Sequence, residues 1–79
     1  MYRLEYQKYV VPPEGKTFRH PRFEKETSVL EFEDRNKAIQ TFVDMFYAIE
    51  DGKNIIGDPL EIKEEKTGLV VFSKDLIGD

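Results

Sequence analysis

The side chains able to do chemistry in this 79-residue chain are 16 acids, 12 bases, one histidine and a few hydroxyls; there is no Cys and no Trp. Gly15-Lys16-Thr17 matches the last three positions of a phosphate-binding loop. That loop needs a glycine five positions earlier and a helix directly after it. Val10 stands at the first place and Pro21 interrupts the second, so the match is one of letters. His20, in His20-Pro21-Arg22, has no second His and no Cys to share a zinc ion that would need three or four ligands. Ser28 and Ser73 have no Gly-x-Ser-x-Gly setting and no histidine base of their own. Glu64-Glu65 is a carboxylate pair, but hydrolysis by two carboxylates also needs a cleft, for which a chain this short has little volume. The expectation is no catalytic residue, no metal and no cofactor, hence no enzyme.

Two features invite binding rather than catalysis. A Pro-containing stretch at about 12–26 holds Lys16, Arg19, His20, Arg22 and Lys25, with Phe18 and Phe23 between them. Loops this long inside a compact domain are commonly functional, and bases interleaved with aromatics suit a nucleic-acid strand. The other reading of the same residues folds Phe18 and Phe23 back as minor core and leaves the charges solvated. The second feature is charge asymmetry. Residues 1–25 carry six basic and three acidic groups, residues 26–79 six basic and 13 acidic, giving a net −4 overall.

Periodicity supplies the elements that must hold these groups. Tyr2, Leu4 and Tyr6 alternate with Arg3, Glu5 and Gln7, which predicts a strand over 2–10, ended by Pro12-Pro13. A second strand is predicted over 27–33. Ile39, Phe42, Val43, Phe46 and Ile49 form one helical stripe, which predicts a helix over 36–51 with Asp34 or Asn36 as N-cap and Gly52 as C-cap. Arg35 and Lys37 then sit at the positive end of the helix dipole, and Glu50 and Asp51 at the negative end, against the favourable sense. Residues 60–65 and 69–74 read as a hairpin turned by Lys66-Thr67-Gly68, and residues 75–79 as a short tail able to form one turn.

The order β-β-α-β-β predicts a single α+β domain over 1–79, with a four-stranded, mainly antiparallel sheet and one helix on one face. In element order it resembles the β-grasp arrangement, and no motif assigns a family. The expected core is Leu4, Tyr6, Leu30, Phe32, Ile39, Phe42, Phe46, Ile49, Ile62, Val70 and Phe72. One helix covers one face only, so Val29, Leu69 and Val71 are expected on the other, as a homodimer interface. A turn between Gly52 and Pro59 is expected to return Asp58 to the helix end, where it joins Glu50 and Asp51 in an acidic patch.

No apolar run reaches the ~18–20 residues of a membrane span, and neither a signal-peptide core nor a glycosylation sequon is present, which leads to a cytoplasmic expectation. Size and acidity favour a non-catalytic module that binds another protein. The expected role is an inhibitor or adaptor docking on a basic groove, as small acidic phage and mobile-element proteins such as anti-CRISPR proteins do; that likeness is one of size and charge. A nucleic-acid-binding protein using loop 16–25 is the alternative, and a small enzyme or enzyme subunit the third reading.

Overall fold

The computed structural model describes residues 1–77, and the last two residues of the expected tail lie outside them. The chain runs through β1 (Tyr2–Tyr9), β2 (Phe23–Phe32), α1 (Arg35–Asp51), β3 (Gly57–Glu64) and β4 (Val70–Ser73), and ends on a 3₁₀ turn, Lys74–Leu76. The strands make one sheet in the order β2-β1-β3-β4, antiparallel at every step. It is the expected α+β domain, and it lacks the parallel strand pair of the β-grasp arrangement. Because β2 and β3 flank β1 and both oppose it, they run parallel to each other. A connection between two parallel strands has to cross a face of the sheet, and α1 is that crossing.

Both helix ends are closed by local chemistry. Asp34 accepts a hydrogen bond from the Asn36 N–H at 2.8 Å, so Asp34 is the N-cap. At the other end Gly52 takes φ 70°, the Gly52 N–H donates to the Ile49 carbonyl and the Lys53 N–H to the Ala48 carbonyl. That pair of bonds is a Schellman closure, which favours glycine in the left-handed position.

The core lies between α1 and the sheet and consists of Leu4, Tyr6, Ala38, Phe42, Met45 and Ile62, with Tyr2, Leu30, Phe32, Ile39, Val71, Phe72 and Ile77 packed against it. Leu4 faces Leu30 on one side and Ile62 on the other, and Ile62 faces Phe72. The Phe42 and Phe72 rings meet edge to face at 5.2 Å, which locks helix to sheet.

Two expectations about the core, and one about the strand bounds, are corrected. The helix turns Ala38, Phe42 and Met45 inward, so its buried line is rotated from the predicted stripe and Phe46 and Ile49 are half-buried at its margin. Val70 points away from α1, 49% exposed, and Val71 packs toward the core. The cause is an irregularity between Ile62 and Lys63, which pair with Phe72 and Val70 respectively and so leave Val71 as an extra residue. A bulge of this kind offsets the simple in–out alternation of a strand. Strands β2 and β3 also begin earlier than predicted. β3 includes Pro59 although it is an inner strand, which is possible because the register shifts between Glu5 and Tyr6, opposite that proline. At its first residue, Gly57, a Cβ would lie 2.6 Å from both the Gln7 carbonyl oxygen and the Tyr6 ring, so only glycine lets β3 close against β1 there.

Candidate functional site

The two surfaces suggested by charge meet at one end of the molecule. The Tyr9 N–H donates to the Ile56 carbonyl at 3.0 Å, which ties the last residue of β1 to the loop leaving α1. Beyond this point the β1–β2 hairpin continues as an arm. Tyr9 pairs with Phe23, their rings 6.0 Å apart, and the Val10 N–H donates to the Arg22 carbonyl at 2.8 Å. A turn at Pro13–Lys16 follows, closed by a bond from the Lys16 N–H to the Pro13 carbonyl, with Gly15 at φ 80°.

Lys16, Arg19, His20, Arg22 and Lys25 are all exposed on or beside this arm. The Arg22 guanidinium lies 4.9 Å from the centre of the Phe18 ring, a cation–π stack. Phe18 and Phe23 are therefore spent on Arg22 and Tyr9 and belong to no part of the core cluster. The arm does not fold under the sheet, and its cations form no ion pair among the described residues.

On the other side of Ile56 lies a cleft of about 470 Å³, lined by Asp44, Tyr47, Ala48, Asp51, Lys53, Asn54 and Ile56. Tyr47 is 47% and Ile56 59% exposed, which gives the cleft an apolar lip. Asp44 is held by Gln40, whose Nε2 donates to its Oδ1 at 2.9 Å. Glu50 and Asp51 take part in no ion pair among the described residues. Nothing basic occupies the last turn of α1 to answer them. Asp44 and Tyr47 were not singled out in the sequence. The signal was there in the spacing of Gln40, Asp44, Tyr47 and Asp51, which share the outer face of the helix.

Asp58 does not join this group. It pairs with Gln7, so it lies on the face of the sheet away from α1, where its carboxylate binds the Lys74 ammonium. The expected return toward the helix fails because residue 57 already belongs to β3 and strand alternation directs residue 58 outward.

The expected dimer face is also divided. Val29 sits on the open face opposite Glu5, Leu69 is 66% exposed in the turn before β4, and Val71 points to the core. Val70 shares that face opposite Lys63, and its surroundings are polar: Lys63 Nζ lies 3.1 Å from Glu61 and 3.6 Å from Glu5, with Arg3, Gln7 and Glu31 around them in register. These carboxylates hold the Lys63 ammonium above its ordinary value of 10.5, chiefly through the hydrogen bond to Glu61 and then the charge of Glu5.

Among the described residues no three of His, Asp and Glu are grouped to hold a metal ion. No helix there is long and apolar enough to cross a membrane. No family model matches the chain, and comparison with curated proteins and with solved structures also yields no match.

Proposed function

We propose that the protein is a non-catalytic binding module, an inhibitor or adaptor, that docks the C-terminal half of α1 onto a basic groove of a partner protein. The observation that carries this reading is the uncompensated charge at the helix end. Glu50 and Asp51 lie where the helix dipole disfavours acids, with no ion pair among the described residues, so folding gives no reason for their presence. Asp44 and Asp51 flank the exposed Tyr47 and Ile56 in one cleft. An aromatic and an aliphatic anchor flanked by two acids, with Lys53 as the one cation of the lining, suits a mainly cationic surface with an apolar centre.

The exposed bases of the arm support a second reading, in which loop 16–25 binds single-stranded nucleic acid. The two are separated by variants that remove one surface at a time. Immobilised protein is offered to a lysate of its native host and the captured partner is eluted with rising salt. Loss of capture in Asp44→Asn/Glu50→Gln/Asp51→Asn, with capture retained in Arg19→Ala/Arg22→Ala, is the expected result. The reverse pattern, or a gel shift of single-stranded DNA or RNA at physiological salt that the arm variant abolishes, would overturn it in favour of the arm.

A further inference from the structure

Four of the eight large apolar side chains exposed among the described residues lie at one end of the molecule: Val10 and Val11 on the arm, Tyr47 and Ile56 on the lip of the cleft. Val11, at 76%, is the most exposed of them. Exposed apolar groups gathered in one place mark a contact surface. Charge at the same end is divided between two elements. The arm, residues 10–22, carries Lys16, Arg19 and Arg22 against Glu14, a net +2 without His20. The helix end carries Asp44, Glu50 and Asp51 against Lys53, a net −2. All of these side chains are exposed, and no ion pair among the described residues joins one set to the other.

The arm does not reach its own cleft with its tip. It leaves the body at the bond from the Tyr9 N–H to the Ile56 carbonyl, and the cleft lies beside that base, with Ile56 in its lining. The Tyr9–Phe23 ring pair and the Val10–Arg22 hydrogen bond hold the two limbs together, so the turn at Pro13–Lys16 stands away from the base.

We propose that the arm of a second copy covers this cleft, in a symmetric dimer that exchanges arms. With a two-fold axis across the arms, the two run antiparallel and the tip of each lies at the base of the other, where the cleft is. Both contacts form together, and the assembly closes on itself. Val11 then meets the lip of Tyr47 and Ile56. Lys16 and Arg19 come to Asp44, Glu50 and Asp51, and Glu14, the one acid of the arm, comes to Lys53, the one cation of the cleft lining. The lengths agree. The limb from Val10 to Pro13 spans about 10 Å at a strand's ~3.3 Å per residue. Asp44 and Asp51 are about 10 Å apart along α1 at a helix's ~1.5 Å per residue. A nucleic-acid strand would engage the arm alone, since the acids of the cleft repel phosphate, whereas a second copy engages both surfaces. The proposal rests on the reading of α1 as a docking face, and it names what occupies that face when no other partner is bound.

Sedimentation equilibrium of the full chain, from micromolar to millimolar concentration, gives the first test. At about 0.02 M salt the mass should rise to twice 9.3 kDa, and at about 0.5 M salt the association should weaken roughly tenfold or more. A monomer throughout at low salt, or a dimer indifferent to salt, overturns the proposal. Lys16→Glu/Arg19→Glu and Glu50→Lys/Asp51→Lys should each be monomeric where the wild type is dimeric. These four side chains are exposed, so circular dichroism should show both variants folded. Mixing the two variants should restore a dimer with one copy of each, because each reversed surface then meets its opposite. A mixture that stays monomeric, or a dimer that survives either variant alone, overturns the proposal. The docking role of α1 is read separately. A monomeric wild type that still captures a host protein through Asp44, Glu50 and Asp51 removes the arm exchange and leaves that role standing. An arm-exchanged dimer whose acid-neutralised variant captures the host protein as well as the wild type does the reverse.

Discussion

Phe42 and Phe46 look equivalent in the sequence, one turn apart on an apolar stripe, and the structure makes them unequal. Phe42 is fully buried and meets Phe72 edge to face, whereas Phe46 is half-buried and touches the exposed Tyr47. Phe42→Ala should therefore lower stability by about 3–5 kcal/mol, close to the whole stability of a small domain. Phe46→Ala should lower it by about 1–2 kcal/mol, in proportion to the apolar area it hides. Chemical denaturation of the two variants checks the contrast, and equal losses would restore the stripe read from the sequence. A second residue-scale expectation concerns Lys63. Its raised value means that its ion pairs contribute fully below the ordinary lysine value and are lost as pH rises through the folded-state value. The stability difference between wild type and Lys63→Met should thus close at strongly alkaline pH. The Lys63 ammonium, followed by NMR, should titrate nearer the ordinary value in Glu61→Gln.

At the scale of elements, what the sequence disclosed depended on how local the cause was. The helix was legible because its signals are internal: Asp34, the apolar period and Gly52 all act within the segment. The rotation of its buried face was not, because a small alanine at 38 is drawn inward only by the sheet it approaches, and propensity carries no record of that. The swap of Val70 and Val71 has the same origin. A bulge belongs to the pairing of two strands, and alternation within one strand cannot foretell it. Of the candidate acidic patch, Glu50 and Asp51 were legible as neighbours in sequence, while Asp58 needed the strand start at Gly57 to be known. This division shapes the prediction for the helix end. Glu50→Gln/Asp51→Asn should raise stability by about 0.5–1 kcal/mol, through relief of the clash with the helix dipole, with the gain shrinking in high salt. Adding Asp58→Asn should reverse part of the gain, since that carboxylate has Lys74 as partner. Thermal unfolding at two ionic strengths measures both effects, and a loss of stability in the double variant would mean that the helix carboxylates have internal partners.

The whole molecule is long for its mass. Its radius of gyration is 13.3 Å and its extents are 44 × 27 × 17 Å, against a radius of about 12 Å for a compact chain of this length. The basic arm accounts for the shape: from Val10 to Arg22 nearly every residue is exposed, and none belongs to the core cluster. The core ends at Tyr6, and the arm is attached through Tyr9, Phe23 and the Val10–Arg22 hydrogen bond. Such an arm is held by its own turn and its Arg22–Phe18 stack, so its stability should be local. Replacing residues 11–21 by Asn-Gly, a two-residue turn that suits an antiparallel hairpin, should leave the fold intact. It should also raise stability by about 1 kcal/mol, because a shorter loop loses less entropy on closure. Amide exchange should agree, with protection at residues 14–20 far below that of α1 in the intact protein. If the shortened chain instead unfolds at lower temperature, the arm braces the sheet. If it keeps its stability and still captures a partner, then the arm and the acidic end of α1, adjacent in space through Tyr9 and Ile56, are separate surfaces on one scaffold.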